Sequence, residues 1–106
     1  MDTFSALADP TRRAMLDLLV KQERSAGELV GAFPHISQPA VSKHLRILKD
    51  AGLVNMRVHA QQRIYTLHPK GLTELDAWIA KYKVFWTERL DALEQHLSKN
   101  KGVKKK

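Results

Sequence analysis

Apolar residues recur at helical spacing through the first part of the chain, in segments that short polar stretches separate. Phe4 and Leu7 belong to a short predicted helix over residues 2–8. Asp9 and Pro10 then suit the N-cap and the first position of a second helix. The apolar stripe of that second helix consists of Ala14, Met15, Leu18 and Leu19.

Two further helices follow, each with a capping signal. Ser25 and Glu28 have the S-x-x-E spacing of a capping box, so they predict a helix over residues 25–33. Ser37 is the predicted N-cap of the next helix, which ends at Asp50. Gly52 then takes a position that commonly terminates helices. The core side of this last helix is expected to be Val41, Leu45 and Leu48.

The pattern then changes from helical spacing to alternation. Residues 54–59 and 63–67 alternate or favour strands, and the polar residues 60–62 lie between them, which predicts a β-hairpin. Pro69 ends the second strand, and a long helix is predicted from about residue 70 to residue 97. The expected fold class is therefore mainly α with a small β-hairpin: four short helices, a two-stranded wing and a long C-terminal helix.

The long helix carries a wide apolar face that includes both tryptophans of the chain. Aromatic residues at helical spacing are typical of cores and interfaces, which favours a dimer interface. A small-molecule pocket between subunits is the alternative, although no residue selects a ligand. The expected interface comprises Phe4, Leu7, Trp78, Tyr82, Phe85, Trp86, Leu90, Leu93 and Leu97.

Length and charge sharpen the picture. The 106 residues suit one domain, residues 1–97, followed by a lysine-rich tail, residues 98–106, that is expected to be disordered. The formal net charge of +7 is concentrated in two places: residues 37–68 carry +4 and the tail carries +5. A localised basic segment is typical of a surface that contacts a polyanion, although a solvated surface is an equal alternative.

Several classes of chemistry lack their residues. The chain has no cysteine, no phosphate-binding glycine loop and no credible catalytic triad, so an enzyme is not expected. The five histidines form no i, i+4 pair, and neither a metal site nor a cofactor is expected. No apolar run is long enough for a membrane span, and residues 1–4 do not resemble a signal peptide. A cytoplasmic protein is the expectation.

The two consecutive helices over residues 25–33 and 37–50 predict a helix-turn-helix, whose second helix enters the DNA major groove. Opposite its core side this helix has polar and basic residues whose types suit base edges and phosphates. Glutamine can pair with adenine, and lysine or arginine can reach guanine or phosphate. The predicted DNA-binding residues of this helix are Ser37, Gln38, Pro39, Ser42, Lys43 and Arg46.

The hairpin that follows corresponds to the wing of a winged helix-turn-helix. Its polar residues are positioned to reach the DNA backbone or the minor groove. A purely structural lid over the core is the alternative. The predicted DNA-binding residues of the wing are Arg57, His59, Gln61, Gln62 and Arg63.

Four segments in this order, residues 4–12, 27–29, 37–48 and 51–54, resemble ArsR-type winged-helix transcriptional repressors across about residues 1–97. The resemblance implies a homodimer that represses transcription by occupying a palindromic double-stranded DNA operator. It also implies that Gln38, Pro39, Ser42 and Lys43 are base-facing.

Many members of that family sense metals through a Cys-x-Cys pair, and others through Asp/His pairs on the last helix. Residues 25–29 contain no thiol, and the last helix has one histidine, His96. The chain is therefore expected to be a member that does not sense metals, with a small-molecule effector possible but unidentified. A winged helix that binds protein instead of DNA remains an alternative, but its apolar or acidic recognition face is not present at Gln38, Lys43 or Arg46.

Overall fold

The computed structural model describes the backbone of residues 2–101 and the side chains of residues 2–98. Its elements confirm a mainly helical fold with a small antiparallel sheet and a long C-terminal helix. In chain order they are α1 (Thr3–Leu7), α2 (Pro10–Lys21), β1 (Arg24–Ser25), α3 (Ala26–Ala32), α4 (Gln38–Asp50), β2 (Val54–His59), β3 (Gln62–Leu67) and α5 (Pro69–Lys101).

The predicted capping residues begin the helices as expected. The Asp9 carboxylate accepts a hydrogen bond from the backbone N–H of Arg12 at 3.0 Å. Ser25 and Glu28 form both bonds of a capping box, at 3.1 and 2.8 Å. The Ser37 hydroxyl accepts from the backbone N–H of Ala40 at 3.2 Å. These bonds satisfy N–H groups that have no partner inside their helices, and so fix where each helix starts.

The chain divides into two compact units, a first that ends at Leu75 and a second that begins at Asp76. The first unit contains the hydrophobic core, which is built from all four short helices and the sheet. The predicted core side of α4 is confirmed, because Val41, Leu45 and Leu48 are all buried. The other largest fully buried side chains are Met15, Leu29, Leu53 and Val54.

The sheet has three strands in the order β1-β3-β2, whereas the sequence predicted only two. The additional strand, β1, has two residues, which pair with Tyr65 and Ile64 of β3. A strand of two residues is too short to produce a recognisable alternation, and its existence depends on the distant strand with which it pairs.

The turn of the hairpin also differs from the expectation. Gln62 pairs with His59, so Gln62 belongs to β3 and the turn consists of Ala60 and Gln61 alone. Both turn residues have positive φ, 49° and 69°. Two-residue turns with positive φ at both positions match the twist of a hairpin and usually contain Asn or Gly. The absence of those residues left the type of the turn open in the sequence, although its position was predicted.

The last helix starts one residue before its predicted start and continues to Lys101, beyond its predicted end at Leu97. The expected disordered tail therefore begins inside this helix, and residues 102–106 lie outside the described residues.

The end of α4 is a glycine-dependent helix terminus. Gly52 has φ +79°, and its N–H donates to the carbonyl of Lys49 at 3.0 Å. The N–H of Leu53 donates to the carbonyl of Leu48 at 2.9 Å. These two bonds form a Schellman motif, in which glycine takes the left-handed position at little steric cost.

The start of α5 packs directly on this terminus. The N–H of Gly71 donates to the carbonyl oxygen of Gly52 at 2.8 Å. A Cβ atom on Gly71 would lie 2.6 Å from that oxygen and 2.9 Å from a methyl carbon of Leu53. Only glycine permits the two backbones to approach this closely.

We expect Gly71→Ala to destabilise the protein by about 1–3 kcal/mol, because the added methyl group overpacks a backbone contact. Gly31→Ala is the matched control, since Gly31 is also helical and a Cβ there would meet nothing within 4 Å. The control should be neutral or stabilising by up to about 1 kcal/mol. Denaturant unfolding followed by circular dichroism measures both, and equal effects of the two substitutions would contradict the close approach.

Candidate nucleic-acid interface

Helix α4 has one buried side and one exposed side. Val41 and Leu48 are 0% exposed and Leu45 is 2% exposed, so the core side is closed to solvent. All six residues predicted to bind DNA from this helix or its cap are exposed: Ser37, Gln38, Pro39, Ser42, Lys43 and Arg46. The fold therefore presents a contiguous polar and basic surface from the first three turns of α4, which we call the reading face.

The reading face has a centre and a flank. With 3.6 residues per turn, Pro39, Lys43 and Arg46 lie almost opposite the buried side. Gln38 and Ser42 lie on the flank that faces the sheet, where they line a cavity of about 260 Å³ between α3, α4 and β3. Arg63 lines the same cavity from β3. The structure thus brings one wing arginine beside two residues of the reading face.

The other polar wing residues lie on the opposite face of the hairpin. Side chains alternate between faces along a strand, and residues directly paired across strands share a face. Tyr65 of the core and Arg63 therefore share one face, which adjoins α4. The pairs Arg57–Ile64 and His59–Gln62 occupy the other face. All five predicted wing residues are exposed, and Gln61 is at the tip.

Arg57 is bound to an acidic residue that the sequence analysis did not single out. Its Nη1 and Nη2 donate to the two carboxylate oxygens of Glu23 at 3.0 and 2.9 Å. These hydrogen bonds hold the pKa of Glu23 below its ordinary value and raise the pKa of Arg57 above its own. Glu23 therefore offsets the charge of Arg57 within the protein. A simple count of basic residues in the wing treats Arg57 as a full positive charge and overlooks this pairing.

A buried arginine of α2 contacts α4, and it too was not singled out from the sequence. Arg12 is 8% exposed and lies on the same side of α2 as Met15 and Leu19. Its guanidinium contacts His44 of α4 at 3.2 Å. Burial of Asp9 raises its pKa, but the hydrogen bond from the backbone N–H of Arg12 and nearby positive charge outweigh this, so the pKa of Asp9 lies below its ordinary value. The helical spacing of residues 12, 15, 16 and 19 was the available signal for Arg12.

The predicted dimer residues differ in their exposure. Phe4 is 39% exposed, and Leu7 is partly buried against the core of the first unit. In the second unit the large apolar side chains of α5 are all between 44% and 59% exposed. The Trp78 and Tyr82 rings lie 4.7 Å apart, and the Arg89 guanidinium lies 5.0 Å from the Phe85 ring centre. Helix α5 thus carries an aromatic surface that faces solvent in the single chain.

Metal-ligating residues do not cluster in the part of the chain that the structure describes: no group of three or more His, Cys, Asp or Glu side chains could hold an ion there. Within those residues no helix has the length and apolar character needed to span a membrane.

Comparison with known proteins agrees with this geometry. The family model described as bacterial regulatory protein, arsR family, matches residues 9–56. The HTH-type transcriptional regulator Rv2034 of Mycobacterium tuberculosis is 41% identical over 92 residues, which cover 87% of this chain and 82% of the relative. The chain belongs to the ArsR family. It is accordingly a DNA-binding transcriptional regulator and not an enzyme.

Other similar proteins support the same family. The transcriptional repressor SdpR of Bacillus subtilis is 36% identical over 81 residues, which cover 76% of this chain and 89% of the relative. A solved structure of a possible transcriptional regulator for arsenical resistance has a TM-score of 0.71 and 38% identity, covering 91% of this chain and 96% of that one. The winged helix-turn-helix predicted from the sequence is thus confirmed.

Proposed function

We propose that this regulator is a homodimeric repressor that reads a palindromic DNA operator through α4. The observation that carries the proposal is the reading face. Its polar and basic side chains are exposed opposite three buried core residues, on a helix whose diameter fits the DNA major groove, which is about 12 Å wide. A surface of this composition is suited to DNA, and it lacks the apolar or acidic character expected of a winged helix that binds protein instead.

The residue types assign the contacts. Gln38 is near the N-terminus of α4, which is the end that contacts bases in this geometry, and its amide can pair with adenine. Lys43 and Arg46 can reach guanine or phosphate, and the Ser42 hydroxyl can donate or accept. Ser37 and Pro39 complete the first turn that approaches the DNA.

The wing contributes through two groups of residues. Arg63 lies beside Gln38 and Ser42, so it is the wing arginine best placed to bind a phosphate next to the reading face. Gln61, Gln62 and His59 are exposed at or near the tip, where a wing meets the DNA backbone or the minor groove. Arg57 is held by Glu23 and makes the smaller contribution to DNA binding.

The second unit supports association with a second copy of the chain. Between Phe85 and Leu90 on a helical projection, the large apolar side chains of α5 form a stripe about 140° wide, interrupted by Arg89 and His96. A stripe of this width is normally covered by another element. A second copy offers the same stripe and can cover it about a two-fold axis. Phe4 and Leu7 of the first unit are also proposed to belong to the interface. The stripe contains Trp78, Ile79, Tyr82, Phe85, Trp86, Leu90, Leu93 and Leu97, all exposed in the single chain.

A two-fold dimer determines the form of the operator. It presents two copies of α4, which read two half-sites in opposite orientation, about one helical turn of DNA or a multiple of it apart. Occupation of such a site in a promoter excludes polymerase, which is how a protein with no other activity can repress.

Selection of bound duplexes from a random pool tests the proposal. We expect it to enrich an inverted repeat with half-site centres about 10 base pairs, or a multiple of this, apart. Gln38→Ala and Lys43→Ala should each weaken binding to the selected duplex at least tenfold, because each removes a side chain of the reading face, and neither should alter the dimer.

Gln22→Ala and Lys21→Ala are the controls for these variants, because they remove the same residue types from exposed positions outside α4. The controls should bind like the wild type. If Gln38→Ala and Lys43→Ala also bind like the wild type, or no sequence is enriched, then α4 does not read an operator.

The two wing arginines should respond differently to substitution. Arg63→Gln should lower DNA affinity several-fold and reduce the slope of log affinity against log salt by about 1, because one phosphate contact is lost. Arg57→Gln should leave that slope unchanged, since Glu23 already offsets its charge. Fluorescence anisotropy across a salt series measures both slopes. If the two substitutions reduce the slope by the same amount, then Arg57 leaves Glu23 to bind DNA.

Association through α5 can be tested with a matched pair of substitutions. Leu90 and Val84 are both 59% exposed, but Leu90 belongs to the stripe and Val84 lies on roughly the opposite side of the helix. We expect Leu90→Glu to convert the dimer to monomer, because it buries a charge in the interface, and Val84→Glu to leave the dimer intact. Sedimentation equilibrium gives the mass of each variant. A Leu90→Glu protein that remains dimeric places the interface elsewhere.

A further inference from the structure

Arg12 is a buried cation that binds the end of α1. Its Nε donates to the carbonyl of Ala6 at 2.6 Å, and its Nη2 donates to the carbonyl of Ser5 at 3.3 Å. A buried charge is costly unless hydrogen bonds replace its water. These two carbonyls lie at the end of α1 and supply part of that replacement, so the guanidinium is fixed in place with respect to α1.

The same guanidinium reaches across to α4. Its Nη1 lies 3.2 Å from Nδ1 of His44, and the nearest carboxylate oxygen of Asp9 lies 3.9 Å from the same nitrogen. Arginine is always protonated and has no acceptor, so Nδ1 of His44 must accept the hydrogen bond. His44 is then neutral, with its proton on Nε2, and the charged groups facing it are Arg12 and Asp9 of α2 and its cap.

In the sequence His44 lies among the residues of the reading face, but its side chain is not part of that face. It is adjacent to Lys43 and two residues from Ser42 and Arg46, yet it is only half-buried and turned toward α2. The core contacts of α4 are made by Val41, Leu45 and Leu48, and apolar burial has no preferred direction. A hydrogen bond does have one, so the contact with Arg12 adds a directional restraint on rotation of α4 about its axis to the packing of the core.

A small rotation matters for base reading. Side-chain atoms lie about 6 Å from a helix axis, so a rotation of 10° moves them by about 1 Å. Hydrogen bonds tolerate a range of only about 0.5 Å in donor–acceptor distance. An α4 that is free to rotate would keep its charge and its attraction to DNA in general, but it would lose discrimination between sequences.

We propose that Arg12 and His44 are positioning residues that set the rotation of α4, with His44 as a neutral acceptor carrying its proton on Nε2, and that they determine sequence specificity without contacting a base. The inference rests on the proposed reading of DNA by α4. It assigns to Arg12 and His44 a role that is separate from the reading face itself.

The tautomer of His44 is the first test and needs no DNA. In the full-length protein labelled with ¹⁵N-histidine, two-dimensional NMR correlations distinguish a ring protonated on Nε2 from one protonated on Nδ1 or on both. We expect the Nε2-protonated form for His44, and a changed ¹⁵N shift of Nδ1 in Arg12→Met, because that substitution removes the donor to Nδ1. A ring protonated on Nδ1 or doubly protonated in the wild type would overturn the proposal.

Two substitutions of His44 provide the second test. His44→Asn keeps an acceptor oxygen at about the position of Nδ1, whereas His44→Leu keeps the bulk and removes the acceptor. We expect His44→Leu to weaken binding to the selected duplex at least tenfold and to change binding to a scrambled duplex of the same length by less than twofold. His44→Asn should stay within threefold of the wild type on both duplexes.

The ratio of the two affinities separates positioning from other roles. If His44→Leu lowers the affinity for both duplexes equally, or if His44→Asn loses as much as His44→Leu, the pair does not set specificity. Circular dichroism checks that each variant is folded at the assay temperature. The comparison of His44→Leu with His44→Asn then decides the question even if Arg12→Met does not fold. A failure of the random-pool selection overturns the proposed function separately, and the tautomer still decides the contact between Arg12 and His44.

Discussion

The backbone contact between Gly52 and Gly71 is the constraint on which the organisation of the first unit depends. Gly52 follows the C-cap of α4, and its left-handed conformation terminates that helix. The carbonyl oxygen of Gly52 accepts a hydrogen bond from the N–H of Gly71, which fixes the start of α5. Leu53, which follows, is fully buried and closes the core beneath both helix ends. The end of the reading helix and the beginning of the helix proposed for dimerisation are thus set by one pair of glycines.

Positive charge has three different uses in this fold. Lys43 and Arg46 are exposed on the reading face, Arg57 is paired with Glu23, and Arg12 is buried between helices. A count of basic residues in the sequence treats these as equivalent. The first group is exposed and available for the proposed DNA contact, whereas the other two hold parts of the protein together. Charge segregation therefore points to the segment proposed to bind DNA, but it does not distinguish the exposed charges of that segment from the paired one.

The sequence was sufficient to predict the features that depend on residues close together in the chain. The helix starts at Asp9, Ser25 and Ser37 depend on hydrogen bonds to N–H groups three residues away, which spacing alone reveals. The strand β1 and the Glu23–Arg57 pair depend on partners 34 or more residues distant. Such partners are brought together by the tertiary fold, so no pattern within one segment announces them. The turn was predicted at residues 60–62, but its left-handed type at Ala60 and Gln61 was not, because its residues are unusual for that geometry.

The exposed stripe of α5 links the stability of the second unit to association. An isolated helix in water is marginal, and most helical stability in proteins comes from packing of an apolar face. Trp78, Trp86 and Leu90 each leave about half of their surface exposed in the single chain, so this packing has to come from outside it. Anything that binds the associated form in preference to the free chain stabilises it by mass action. A DNA site with two half-sites is such a ligand for the proposed dimer, and its binding would strengthen that dimer.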